Sequence, residues 1–331
     1  MFRNGKKQFC LILIPVIILL ISGMCSSLAA AKTAGSGTDT QKTCSHTCYE
    51  IFVYSFCDSD GDGIGDLSGV AGKLDYICDL GFDMIWLTPV FPSPTYHKYD
   101  VTDYQQIDPQ FGSLEDMDRL IEACHARGVR IILDLPLNHT STGHPWFQNA
   151  AEYLRDPKND TESAAAECPY ADYYCFSREQ RDGYAPLAGT DWFYEARFWE
   201  GMPDLNLDSQ AVRGEIRQIL AFWQDRGVDG FRLDAVTSYY TQEKEQSIDF
   251  VRWLTAAAKE RDPDCYLVGE AWTDADTYLQ YYESGIDSMF DFAFANREGI
   301  IARVAEGSLG VSAWAEAMEA EEGLYASLNP A

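Results

Sequence analysis

Positive charge is scarce in this chain. Only 25 Lys and Arg stand against 52 Asp and Glu, with five His among 331 residues, for a formal charge of −27. A surface so acidic cannot offset a phosphate backbone, which excludes nucleic acid and leaves neutral substrates or cations as partners. The chain also lacks the bias of a disordered or collagen-like polymer, since 46% of residues are hydrophobic and 13% aromatic. Cys44 and Cys48 have no matching His or Cys cluster after them, so a zinc site is excluded.

What is present begins with an address. Arg3, Lys6 and Lys7 precede an apolar run over residues 9–21, and Leu28, Ala29, Ala30 and Ala31 offer small residues to a signal peptidase. Residues 1–31 therefore read as a signal peptide, which makes the protein secreted or cell-surface. An uncleaved anchor is the alternative, and membrane contact goes no further than this segment. Residues 32–48 read as a linker. Removing the leader takes Cys10 and Cys25 from the ten cysteines, and the even remainder permits disulfides. Cys168 and Cys175 are close enough in sequence for one bridge.

From residue 49 one unit recurs: short apolar strand, loop, amphipathic helix, glycine, next strand. Strands are expected at 49–54, 84–87, 129–135, 230–233, 266–269 and 288–294. Leu67, Val70, Leu74 and Ile77 mark one helical face, and Ser113 to Asp116 forms a capping box for another helix. The pattern predicts an α/β fold, either a doubly wound sheet or a (β/α)8 TIM barrel. The rhythm breaks over 140–205, which is rich in Tyr, Trp, Gly and Pro without a strong helical period. A stretch that long reads as a subdomain inserted after strand 3. One or two of Trp146, Phe147, Trp192, Phe193 and Trp199 are expected to stack on sugar, and the rest to pack a small core.

Polar residues collect where strands end: Asp134, Asn138 and His139 after the third, Arg232 and Asp234 at the fourth, Glu270 at the fifth. In a parallel barrel these ends ring one mouth. Two carboxylates with an Arg and a His there suit glycosidic cleavage. Any one of them alone reads equally as part of a strand-end ion pair, Asp134 with Arg232 in particular.

On these residues the chain resembles the α-amylase family, glycoside hydrolase family thirteen, from about residue 49 onward. Asp134 to His139 is similar to its first region, Gly230 to Ala235 to its second, and Gly269 to Trp272 to its third. Met202 to Asn206 resembles a motif intermediate between oligo-1,6-glucosidase and neopullulanase sequences, and Tyr96 to Tyr104 the loop after strand two. The resemblance implies Asp234 as nucleophile and Glu270 as general acid and base. It also implies Tyr99, Asp100, His139 and Arg232 as substrate-binding residues, with Asp134 supporting. Thr237 and Ser238 stand where typical α-amylases carry Lys-His. The family's fourth region, a His-Asp pair, is absent. The span left after the insertion falls short of the ~250 residues of a typical barrel, so the barrel over 49–331 is expected to be truncated after about strand 6.

A second cluster precedes the first helix. Asp58, Asp60, Asp62 and Asp66 alternate around glycines, and hard oxygen ligands at that spacing suit Ca²⁺. An EF-hand is excluded because Gly69 stands where its bidentate Glu is required. The family has a similar loop in which the residue at Ile64 lends its carbonyl, implying a structural Ca²⁺ held by Asp58, Asp60, Asp62, Ile64 and Asp66. The expected function is thus a retaining hydrolase of α-1,4-glucosidic bonds in starch-derived glucans or malto-oligosaccharides. The alternatives are an α-1,6-specific oligosaccharidase, a transglycosylase, or an inert relative.

Overall fold

The short apolar stretches form strands: β1 (Cys48–Ile51), β2 (Met84–Leu87), β3 (Arg130–Leu135), then β4 (Phe176–Ser177), β5 (Tyr184–Pro186) and β6 (Phe193–Glu195), then β7 (Gly230–Leu233), β8 (Tyr266–Gly269) and β9 (Ser288–Met289). This computed structural model describes residues 46–161, 168–241 and 243–328. The leader-like 1–31 and most of the expected linker lie outside the described residues. Six strands pair in parallel in the order β1-β2-β3-β7-β8-β9, an arc of the expected barrel among the described residues.

Side chains alternate across this sheet. Met84, Trp86, Ile132 and Val268 form a cluster on the inner face, with Tyr266 and Phe290 against it. Ile85, Leu87, Ile131, Leu133, Phe231, Leu233 and Leu267 point outward into the main core beneath the helices. Strands buried on both faces favour apolar residues at successive positions, which is why β2 is apolar throughout and β3 over Ile131 to Leu133. Ser113 and Asp116 cap the helix Leu114–His125 reciprocally, as the sequence predicts. That helix buries Met117, Leu120, Ile121 and Cys124 on one stripe.

Several boundaries differ from expectation. The first strand ends at Ile51 because Val53–Phe56 turns helical. That turn presents the Tyr54 carbonyl to the Gly65 amide at 2.8 Å and the Cys57 carbonyl to Asp66 at 3.0 Å. A Cβ on Gly65 would lie 2.0 Å from the Val53 carbonyl oxygen, so only glycine permits the approach. The expected first helix is two pieces, Leu67–Ala71 and Leu74–Asp79. The sixth strand shrinks to β9, because Asp291 accepts from the Ala293 amide and starts a helix at Phe292–Ala295. Strand β1 starts at Cys48, inside the stretch read as linker, and Thr47 donates its amide to Asp83 at 2.6 Å.

The insertion after β3 is a subdomain, and it does contain a helix, Pro145–Leu154. Phe147, Ala150, Ala151 and Leu154 are buried at three- and four-residue steps, a period the aromatic-rich composition obscured. Beyond it β4, β6 and β5 make a small antiparallel sheet. Its start and end run side by side, with Leu205 donating to the Asn138 carbonyl at 2.8 Å and Thr140 to the Pro203 carbonyl at 3.0 Å. Phe147 and Trp192 are core, Trp146 and Phe193 are half-buried, and Trp199 is exposed. The suggested Cys168–Cys175 bridge is not formed; both are free thiols.

Candidate active site

Register brings the distant motifs together. Asp134 on β3 lies directly beside Arg232 on β7. Beyond the strands the backbone stays paired, with the Glu270 amide donating to the Leu233 carbonyl at 3.0 Å and the Val236 amide to the Glu270 carbonyl at 2.9 Å. Asp234 and Glu270 are therefore held on adjacent strand ends. Between them Ala235 adopts φ 45° and ψ 48°, a left-handed conformation rare for a residue with a Cβ. Such strain costs roughly 1–3 kcal/mol and persists only where its surroundings enforce it.

Arg232 is the hub. Its Nη1 donates to Asp134 Oδ1 at 2.8 Å and Asp234 Oδ1 at 2.5 Å, while Nη2 lies 2.8 Å from Glu270 Oε1. The guanidinium sits among the rings of Trp86, Tyr99 and Phe290, at 5.2, 5.7 and 5.6 Å. One cation thus faces three carboxyl groups in a site poor in water. Burial pushes Asp134 up to about 7 even though Arg232 pulls it down. Burial likewise raises Asp234, against the pull of Arg232. Glu270 is raised by burial and by the charge of Asp234, with Arg232 opposing. Burial thus shifts all three carboxyls toward the protonated form, and Arg232 opposes it at each.

Access separates the roles. The Asp134 side chain has no solvent exposure, whereas those of Asp234 and Glu270 keep 10% and 14%. Asp134 is sealed by Arg232 and by Tyr99, whose hydroxyl donates to Oδ2 at 2.9 Å. It braces the cluster and cannot reach a substrate. Glu270 Oε2 accepts from the Ala235 amide at 3.3 Å, and Arg232 joins Glu270 to Asp234 through its two terminal nitrogens. A carboxyl raised by its neighbour's charge beside a carboxyl held by a cation is the pairing an acid and a nucleophile require.

Among the buried atoms without a partner here are His139 Nε2 and Asp100 Oδ2. Burial lowers His139 to about 4, so its ring is neutral at neutral pH. Its Nδ1 lies 3.5 Å from the Asn138 side-chain amide nitrogen, which leaves the hydrogen on Nε2. Asp100 Oδ1 accepts from Ser93 Oγ at 2.6 Å and from Thr95 Oγ1. One free donor and one free acceptor, both buried, fit a ligand that carries hydroxyls. Phe198, exposed on the insertion, sets its ring 5.1 Å from His139. Trp272, also exposed, stacks on Phe292 at 3.8 Å. Composition had signalled aromatics on the insertion without singling out Phe198.

The acidic loop converges in part. Carboxylate oxygens of Asp58, Asp60 and Asp66 lie within 4.8 Å of one another, and Asp62 stands outside that trio. Asp62 Oδ1 accepts instead from the Ile64 amide at 2.7 Å. Asp58 takes amides of Gly61 and Gly63, which hold its carboxyl below the usual range. Burial would raise Asp66, but hydrogen bonds from Ser59 and Gly69 outweigh it and lower its pKa. Three carboxylate oxygens so close together are hard donors of the kind a Ca²⁺ ion takes.

Known proteins resemble this chain. The sequence model of the α-amylase catalytic domain matches residues 50–319. α-Amylase 3 of Dictyoglomus thermophilum is 42% identical over 251 residues, covering 75% of this chain and 48% of that protein. Oligo-1,6-glucosidase of Heyndrickxia coagulans is 42% identical over 205 residues, covering 57% and 35%. The structure of Eubacterium rectale Amy13B superposes with a TM-score of 0.82 at 50% identity, covering 86% of this chain and 55% of that one. The chain spans half or less of the length of these curated relatives. By its matched span and the residues at its strand ends, the chain belongs to the α-amylase catalytic-domain family.

Proposed function

We propose that the protein is a retaining glycoside hydrolase that cleaves α-1,4-glucosidic bonds in starch-derived glucans or malto-oligosaccharides. The observation that carries this reading is that one guanidinium, Arg232, holds both Asp234 Oδ1 at 2.5 Å and Glu270 Oε1 at 2.8 Å. A retaining enzyme sets its two carboxyls about 5–5.5 Å apart, whereas an inverting one keeps about 6.5–9.5 Å to seat a water, and a pair gripped by one guanidinium suits the first. In the first step an Asp234 oxygen attacks the anomeric carbon. The bond from that carbon to the bridging oxygen breaks, and the Glu270 proton passes to that oxygen, so the leaving sugar departs as an alcohol. In the second step Glu270, now a carboxylate, takes a proton from water. The water oxygen displaces Asp234 from the same carbon, and two inversions restore the α configuration.

The remaining groups hold the sugar. His139 Nε2–H donates to a hydroxyl, Asp100 Oδ2 accepts from one, and the Tyr99 ring packs against the sugar face. Arg232 keeps Asp234 ionised and aimed. Because Asp100 is sealed within its loop, it grips a chain end, which favours short oligosaccharides. The same chemistry serves α-1,6 bonds, and the oligo-1,6-glucosidase among the relatives makes isomaltotriose the substrate to compare with maltotriose.

A Ca²⁺ in the acidic loop completes the proposal, held by Asp58, Asp60 and Asp66. It would neutralise their repulsion and brace the turn after β1, taking no part in bond cleavage. Export, resting on the leader-like residues 1–31, belongs to the same reading.

The test uses the intact protein with maltotriose. Asp234→Asn and Glu270→Gln should each lose nearly all turnover with the fold kept, and wild type should release α-configured product first by NMR. Initial β product, or wild-type turnover in Asp234→Asn, would overturn the assignment.

A further inference from the structure

Lys98 holds a backbone φ of 66°, in the left-handed region where glycine is the residue of least steric cost. It is also only 2% exposed, an unusual place for a lysine. A residue that is both strained and buried needs a reason in its contacts, and they are complete. Nζ donates to Asp108 Oδ2 at 2.7 Å, to Gln110 Oε1 at 2.8 Å and to the Ser93 carbonyl at 3.3 Å, using all its hydrogens. The Phe111 ring closes the fourth side at 5.5 Å.

These contacts reach the sugar-binding residues by two routes. Lys98 directly precedes Tyr99 and Asp100, so its dihedral angles set where both side chains start. It also pins the Ser93 carbonyl, and the hydroxyl of Ser93 holds Asp100 Oδ1 at 2.6 Å. Asp108 adds a third tie by accepting the Ser93 amide at 3.3 Å. The free Asp100 Oδ2 is thus aimed by a network whose one cation is Lys98.

We propose that Lys98 is a positioning residue: its buried pair with Asp108 latches the 93–100 loop and sets the pose in which Tyr99 and Asp100 receive the terminal sugar. The proposal rests on the glycosidase reading for its kinetic arm and stands apart from it in its structural arm. Lys98→Met leaves Asp108 buried and unpaired, so it should lose both stability and activity. The decisive variant pairs Lys98→Met with Asp108→Leu, which removes both charges together and leaves an apolar contact in their place.

If the latch sets pose, the double variant regains the wild-type melting temperature. Its kcat/KM on maltotriose stays ~10- to 100-fold low, the scale of a misplacement of about 1 Å. The preference for maltotriose over amylose, which Asp100 confers by gripping a chain end, also falls. A double variant with wild-type kcat/KM and preference shows the pair to be merely structural and overturns the proposal. Hydrogen exchange gives the second measure, on Lys98→Met below its melting point. Faster exchange confined to residues 93–104 supports the latch, and uniform acceleration across the strands refutes it. Wild-type protein that cleaves no α-glucan refutes the glycosidase reading, while exchange over 93–104 still decides the latch.

Discussion

Arg232 offers the sharpest test of the electrostatics. Replacing it with methionine keeps an unbranched side chain of similar length and removes the one cation in contact with Asp134, Asp234 and Glu270 among the described residues. Breaking a buried charge pair from one side costs ~3–5 kcal/mol, because the partner is left uncompensated. Here the partners can escape by taking up protons, so the cost depends on pH. Each carboxyl already sits above its ordinary value through burial, Asp134 at about 7. A carboxyl raised on folding holds a proton that the unfolded chain has released. Its contribution to stability is full below the unfolded value near 4 and is lost as pH rises through the folded value.

Without Arg232 all three folded values rise further, and this window extends upward. Urea unfolding of wild type and Arg232→Met at equal ionic strength should show a deficit of ~3–5 kcal/mol at pH 8. At pH 5 the deficit should shrink to roughly 1 kcal/mol, the value of the lost hydrogen bonds alone. Arg232→Lys should fall between, since a point charge cannot serve three planar acceptors at once. Equal deficits at both pH values, or a larger one at pH 5, would refute the picture of one guanidinium compensating three buried acids.

The acidic loop gives a second expectation. An ion at a hundredfold excess over its Kd raises the folded-to-unfolded ratio about a hundredfold, so Ca²⁺ should raise Tm by roughly 5 °C and chelation should reverse it. Asp60→Ala should abolish that response, and an unchanged response places the ion elsewhere. His139 gives a third. Its pKa falls on folding to about 4, so its contribution is full above the unfolded value near 6.5 and is lost as pH falls toward 4. His139→Asn should erase an acid-side loss of roughly 3 kcal/mol. Asp134 gains stability over the same range, so only the difference between variant and wild type isolates the histidine, and a difference flat in pH would sink the assignment.

The strands were legible because a parallel strand covered on both faces admits apolar residues and little else, as in β2 and β3. The chemistry was legible for a related reason. Asp134, Arg232, Asp234 and Glu270 interrupt or end those apolar runs, and a charge there must have a partner. The strand ends at residues 52 and 290 were not legible, since Phe52, Val53 and Tyr54, or Phe290 and Phe292, suit a strand by composition. What ended the first was the approach of Gly65 to the Val53 carbonyl, and what ended the other was the Asp291 cap. The first is a contact between segments that local pattern does not encode.

Lys98 shows the same limit from the other side. Read along the chain it is one more charged loop residue beside His97 and Tyr99. Its left-handed backbone, its burial and its three acceptors exist only once the loop closes on Asp108 and Gln110. The division of labour among the acids is likewise a matter of access. Asp134 and Asp234 are the same residue type, each bonded to the same Arg232 nitrogen. Tyr99 seals one of them and leaves the other facing the cleft. Chemical type therefore selects the candidates, and burial assigns the brace and the nucleophile among them.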